Sequence, residues 1–335
     1  MRRGWPPVTA AENIEGTGAE RVDAVRLPEK LRRAGAARLV ATDQSDPRAA
    51  TERFIASAGD HGIDLGLMWG VVDRSTRVRE VVLVVPGAGA TAMMFCSKPD
   101  RRAGRDDGHA ARVAAIRGAC AGIADAAPSR VRVMQCLPEP HEVWAHRACD
   151  AAGMTTIGRL DYLRRPFKRA DAENDPGAPP DDVTVRSADE IRPEALDSTL
   201  ITALERSYVE TLDCPELSGM RTTDDILASH RGTGVYDPAL WSIAYVNGEP
   251  EGCLLLTRCP EFSTVELVYI GLSPKLRGRR FGQWFMSHGL AQAAMHAPRH
   301  DVTCAVDARN LPAQRLYERL GFTRFAERCP FVQAV

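Results

Sequence analysis

Apolar positions recur along the chain in two runs of alternating strand-like and helix-like spacing. In the second run, 241–246 and 252–257 are short apolar strands joined through Asn247-Gly248, the strongest short hairpin signal. A longer strand over 264–272 ends at Pro274. From about 279 to 297, Gly282, Phe285, Met286, Gly289, Leu290 and Ala293 repeat at helical spacing, with Pro298 just beyond. A strand over 302–307 precedes a helix over 311–320, striped by Ala313, Leu316, Tyr317 and Leu320 and stopped by Gly321. A strand from Phe322 onward closes the chain. Upstream, 183–186 reads as a strand and 192–209 as a helix. A second helix over 222–230 has Thr222 and Thr223 as cap candidates.

The first run is a blurred copy. Helices are expected over 28–42 and 47–59, then strands near 65–72, 80–85 and 91–97, a helix over 108–126, a strand over 131–136, a helix over 140–151, and a last strand through Tyr162. Each run ends in strand, proline, short helix, glycine-hydrophobic, strand, the mark of an internal duplication. Between the runs lies a charged segment rich in Ala and Pro, with almost nothing to bury. The expected organisation is a loose tail over 1–25, a first domain over 26–167, a linker over 168–181 and a second domain over 182–335.

Length and charge narrow the classes. At ~100–200 residues per domain, 335 residues suit two domains. With 43 Lys+Arg against 44 Asp+Glu there is no net field to favour nucleic acid or an anionic membrane as partner. No apolar run approaches the ~18–20 residues of a membrane helix, and the basic start leads into polar sequence, so no signal peptide is expected. The nine cysteines are scattered singly with no C-x-x-C pair, which reads as reduced, mostly buried thiols of a cytoplasmic protein. Oligomeric state leaves no signature.

The informative segment is 266–282, ELVYIGLSPKLRGRRFG. A strand runs into a basic, glycine-containing turn and straight into a helix. Free backbone N–H groups and the positive dipole end at a helix start make an anion site. Gly278 and Gly282 let backbone approach a phosphate, and Lys275, Arg277, Arg279 and Arg280 add charge. Neither the P-loop nor the dinucleotide G-x-G-x-x-G spacing is present there. Three other motifs are set aside. Gly87-Ala-Gly89-Ala-Thr-Ala92 leads into strand-like sequence, so a hairpin turn is expected. His141 and His146 are ~140° apart around a helix and do not share a face for a metal. Cys253 and Cys304 sit within strands and read as core.

This segment resembles motif A of the GNAT superfamily of acyl-CoA-dependent N-acyltransferases, whose turn reads Q/R-x-x-G-x-G/A. The stretch from Asn310 to Phe322 is similar to that family's N-x-x-A-x-x-x-Y-x-x-x-G-F. The resemblance implies an α/β fold of two tandem GNAT-like domains, each a mixed, mostly antiparallel sheet flanked by helices. It implies acetyl-CoA as co-substrate, no metal, and a small-molecule or peptide primary amine as acceptor by direct attack. Backbone groups of Ile270, Gly271 and Leu272 would pair with the pantetheine arm. Arg277, Gly278, Arg279, Arg280, Phe281 and Gly282 would hold the pyrophosphate, and Asn310 would touch the cofactor near the thioester. Tyr317 would be the general acid, and Glu266 stands where histone-acetylating members keep their base. In the loop after the first helix, Glu210, Asp213 and Glu216 would receive a cationic amine.

The sequence departs from the pattern at Arg280, where the family has Gly; its side chain either crowds the pyrophosphate or adds a cation, so altered CoA binding is expected. In the first half, Arg101 to Gly104 echoes the motif, but Asp106 and Asp107 stand where phosphate should bind. Cys149 occupies the place of Tyr317, so this half reads as a non-catalytic copy. Two alternatives stay open: an acyl-CoA-binding sensor or scaffold without turnover, and an enzyme acting on a cysteinyl amine, as one tandem member of the family does.

Overall fold

The computed structural model describes residues 23–99, 105–127, 130–173, 176–296 and 300–335. The first run contains β1 (Val25–Arg26), α1 (Glu29–Val40), α2 (Pro47–Ala58), β2 (Met68–Val72), β3 (Val78–Gly87), β4 (Thr91–Cys96), α3 (Arg105–Ala126), β5 (Val133–Cys136), α4 (Val143–Ala152) and β6 (Thr155–Thr156). The second contains β7 (Leu160–Pro166), α5 (Arg169–Glu173), β8 (Val183–Ser187), α6 (Pro193–Tyr208), α7 (Thr223–Arg231), β9 (Trp241–Val246), β10 (Glu249–Cys259), β11 (Thr264–Leu272), α8 (Phe281–His296), β12 (Asp301–Asp307), α9 (Leu311–Arg319), β13 (Thr323–Arg328) and β14 (Phe331–Ala334). Most of the expected tail, 1–22, lies outside the described residues, as does the 101–104 echo of the motif; the side chains of Asp106 and Asp107 do too.

The strands form two seven-stranded mixed sheets, ordered β1-β2-β3-β4-β5-β14-β6 and β13-β7-β12-β11-β10-β9-β8. Each has one parallel pair, β4 with β5 and β11 with β12. The expected boundaries need correction here. The strand through Tyr162, read with the first domain, is β7 and sits in the second sheet, antiparallel to both β12 and β13. The strand read as one run from Phe322 onward breaks at Cys329-Pro330, and its second part, β14, crosses to the first sheet between β5 and β6. Each half thus donates a strand to the other. Spacing along the chain cannot reveal this, because a strand's alternation is the same whichever sheet it joins. The expected linker also holds a short helix, α5, tied to β7 by an ion pair between Asp171 and the buried Arg165.

In β11 the alternation sends Val265 and Leu267 to one face, against Phe281, Phe285, Met286 and Leu290 of α8. Val268 and Tyr269 face the other side with Leu200 and Leu204 of α6. The Asn247-Gly248 turn has φ of 52° and 81°, the left-handed pair that a two-residue hairpin needs. The Gly87–Ala90 stretch is also a hairpin turn, joining β3 to β4. Its tip docks on the second domain, where Arg221 donates to the Gly89 carbonyl at 3.1 Å. A further contact packs Cys214, Leu217 and Met220, in the loop after α6, against Val133, Ile157 and Val332. The first domain therefore braces a loop that the second uses.

Candidate active site

β11 and β12 pair at only three positions, ending at Glu266 with Thr303. Beyond that they part. On its other side β11 stays paired with β10, but its register slips: Leu255 faces Tyr269 and Leu256 faces Leu267, leaving Val268 as an extra residue. Such a bulge bends and twists a strand. The result is an open strand edge over 267–272, whose alternate backbone groups face a cleft of about 610 Å³ between β11, the start of α8, α9 and the loop carrying Asp213. Ile270, Gly271 and Leu272 line it.

Gly271 has a second reason to be glycine. A Cβ there would lie 2.6 Å from Ser207 Oγ and closer still to the Tyr269 phenol. Those two groups are hydrogen-bonded at 2.8 Å across the strand.

The turn before α8 bends through two left-handed residues, Gly278 at φ 74° and Arg280 at φ 60°. Arg280 thus adopts the conformation that the missing glycine would take without strain. Its neighbours have partners of their own, though Arg277 also lines the cleft. Lys275 is paired at 2.6 Å with Glu251. Arg277 donates to the carbonyls of Leu272 (2.8 Å), Ser207 (2.9 Å) and Glu210 (3.3 Å), locking the end of β11 to the end of α6. Arg279 pairs with Asp182. The Phe281 ring is core, stacked on Phe285, so only its backbone is open to an anion. Gly278, Arg280 and Gly282 line the cleft, and so do Arg315 and Arg319 on α9, which sequence reasoning passed over.

Deeper in the cleft Tyr317 is 5% exposed, its ring 5.5 Å from that of Phe322. Burial pushes its phenol well above the ordinary tyrosine value, helped by Cys304 and Asp213, so it keeps its proton. Asn310 caps α9 by accepting the Ala313 N–H at 3.3 Å and bonds its amide to Asp213. Asp213 is itself solvent-exposed, and its carboxylate accepts the Asp307 N–H at 3.0 Å. Desolvation among these atoms raises its pKa, and the nearby Asp307 carboxylate adds to the rise.

The other carboxylates lie differently. Glu210 lines the cleft with a left-handed backbone, φ 53°. Glu216 is turned away into an ion pair with Arg309 at 2.6 Å. Glu266 is not on the cleft wall; its carboxylate lies 3.9 Å from Cys259 Sγ, and burial raises its pKa. The structure brings Asp213, not Glu266, to the cleft that Tyr317 lines.

In the first domain Cys149 is fully buried at the position matching Tyr317, beside Cys136 at the end of β5. Arg112 of α3 is buried too, pairing with Glu80 at 2.9 Å, and Glu80 accepts the Ser97 hydroxyl at 2.6 Å just past β4. Helix and strand end are thus pinned together by a satisfied ion pair, without a phenol.

Residues 203–322 match the model of the acetyltransferase (GNAT) family. The chain is 30% identical over 197 residues to a mycothiol acetyltransferase from Thermomonospora curvata, covering 56% of this chain and 61% of that protein, under two thirds of its length. A GCN5-related N-acetyltransferase from Sphaerobacter thermophilus superposes with a TM-score of 0.57 at 18% identity, covering 95% of this chain and 97% of the other. A tandem GNAT protein from the clavulanic acid biosynthesis pathway gives 0.52 at 15% identity over 93% and 98%. These two likenesses concern the fold alone. With the splayed strand, the glycine turn and the buried tyrosine in place, residues 203–322 are similar to the GNAT acetyltransferase family, and the whole chain has the tandem form of that fold.

Proposed function

We propose that the second domain transfers an acetyl group from acetyl-CoA to a primary amine, and that the first domain braces the acceptor side. The observation that carries this reading is the convergence of an open strand edge, Tyr317 and Asp213 on one cleft. The residues fit the co-substrate. The edge over 267–272 supplies backbone partners for an amide-containing arm, and a Cβ built on Gly278 meets nothing within 4 Å, so the turn has room for a phosphate.

An alkyl ammonium has a pKa near ~10.4 and must lose a proton before it can attack a thioester. Asp213 is the group we assign to take it. A carboxylate whose pKa is raised by desolvation is a stronger base than an ordinary one, and Asn310 and the Asp307 N–H orient it. Strand-edge N–H groups stabilise the oxyanion formed as the amine nitrogen bonds to the carbonyl carbon. When the C–S bond breaks, the thiolate takes the proton of Tyr317, the acylated nitrogen sheds its second proton to restore the Tyr317 phenol, and Asp213 gives the first up to solvent. No covalent enzyme intermediate is required.

The test is thiol release from acetyl-CoA across a panel of amines headed by a cysteinyl amine, the acceptor class raised by the sequence resemblance. Amine-dependent release that disappears in Tyr317→Phe supports the proposal. Tight acetyl-CoA binding without release for any amine overturns it in favour of a sensor.

A further inference from the structure

The four cysteines before β7 come from four elements: Cys96 ends β4, Cys120 is on α3, Cys136 ends β5 and Cys149 is on α4. The fold gathers all four into one core cluster. By contrast, Cys253 and Cys304 of the second domain lie in two separate cores. The Cys136 thiol sits at the centre of the cluster, hydrogen-bonded to those of Cys149 and Cys96. A thiol packs as a small hydrophobe, a role that alanine or valine fills without reactive sulfur. Packing alone therefore gives no reason for three sulfurs in contact.

Their place in the fold gives one. β4 and β5 pair at three positions, ending at Met93 with Gln135, and then part as β11 and β12 do. In the second domain that divergence opens the cleft. In the first, Cys96 stands beyond the last pair on one strand and Cys136 on the other, so sulfur spans the gap. Cys149 backs the gap with no exposed surface, Cys136 is 5% exposed, and Cys96, half-buried, is the one of the three that solvent reaches. Hydrogen bonds from Cys149 and Cys96 hold the Cys136 thiol well below the ordinary cysteine value against its burial. The same bonds, with burial, push both donors up, which leaves Cys136 as the nucleophile of the group.

We propose that Cys96 and Cys136 are a disulfide-forming pair, oxidised by hydrogen peroxide across the split of the first domain. The Cys136 sulfur attacks one peroxide oxygen and becomes a sulfenic acid; the O–O bond breaks, and the departing hydroxide takes up the Cys136 proton as water. The Cys96 sulfur then attacks the sulfenic sulfur. The S–O bond breaks, and hydroxide leaves with the Cys96 proton as a second water. Two thiols and one peroxide thus give one disulfide and two waters. Cys96 is the partner because no backbone bond between β4 and β5 fixes their spacing past the last pair. The two side chains can therefore close to the Cβ separation of ~3.5–4.5 Å that a disulfide needs. Cys149 is held in its packed helix and stays a thiol.

The experiment treats the folded full chain with equimolar hydrogen peroxide, blocks the remaining thiols and maps the peptides by mass spectrometry. The expected result is a loss of two hydrogens per chain and a peptide linking Cys96 to Cys136, both reversed by dithiothreitol. Cys96→Ser should lose the link and Cys149→Ser should keep it, with a thermal melt of each to establish that it folds. Wild-type mapping decides the matter even where a variant does not fold. In denaturant, where the thiols are dispersed, the selectivity for this pair should vanish. A link from Cys136 to Cys149, sulfinic acid without a link, or an unchanged mass overturns the proposal. So does the same distribution of products from folded and unfolded chain.

Discussion

Asp213 and Asp307 bind across two segments: the Asp307 N–H donates to the Asp213 carboxylate at 3.0 Å, and the N–H of Cys214, next to Asp213, donates to the Asp307 carboxylate at 3.2 Å. The exchange ties the loop after α6 to the end of β12 and sets one carboxylate inside the cleft. Asp213→Asn keeps an oxygen for the Asp307 N–H but removes the base. Its turnover should fall by ~10²–10⁴ with little change in acetyl-CoA affinity. Because desolvation raises the pKa of Asp213, wild-type turnover should climb with pH through a value above the ordinary carboxylate range. That limb should be missing from the variant's profile; unchanged turnover would exclude Asp213 as base.

Glu266 gives the contrasting result. Burial raises its pKa, so the folded chain holds the proton more tightly than the unfolded one. The stability this brings is complete below the ordinary range and is lost as pH rises through the raised value. Glu266→Gln cannot ionise. Its melting temperature should exceed that of wild type at neutral pH, with the gap closing below about pH 4, and its turnover should be largely retained. A melting gap independent of pH would contradict the burial argument.

Tyr317→Phe preserves the ring packed on Phe322 and removes only the phenolic proton donor. Turnover should drop by ~10² or more while the acetyl-CoA dissociation constant stays within about twofold. Parallel loss of both would make Tyr317 a packing residue.

Arg277 is a structural clamp with three backbone carbonyls on its guanidinium. Arg277→Ala should cost about 1–3 kcal/mol in denaturant unfolding, because carbonyls at the ends of β11 and α6 lose their shared donor. A variant of wild-type stability and weakened cofactor binding would restore Arg277 to direct phosphate contact.

The exchanged strands predict the behaviour of fragments. Residues 182–335 expressed alone lack β7, which lies between β12 and β13, and carry β14 without its neighbours. Val332 is fully buried in the whole protein. The fragment should show no cooperative unfolding transition by circular dichroism; a sharp transition would mean that β14 can replace β7 within its own half.

Much of this protein is determined within short windows of its sequence. The bounds of β9 and β11, the Asn247-Gly248 hairpin and the turn into α8 follow from alternation, capping and glycine placement, which are local interactions. So do Asn310 and Tyr317, fixed by spacing on one helix. The cleft shows where such reasoning stops. Asp213 and Glu266 are both acidic residues near the right elements, and only the divergence of β11 from β12 puts one inside and leaves the other outside. Lys275, Arg277 and Arg279 look alike as a basic run, yet Glu251, Asp182 and the end of α6 neutralise or occupy them from distant positions. Arg315 and Arg319 read as ordinary helix surface until α9 is set against the start of α8. The ownership of β7 and β14 is likewise a tertiary decision, because strand pairing is chosen between segments far apart in sequence and their side-chain alternation is satisfied in either sheet.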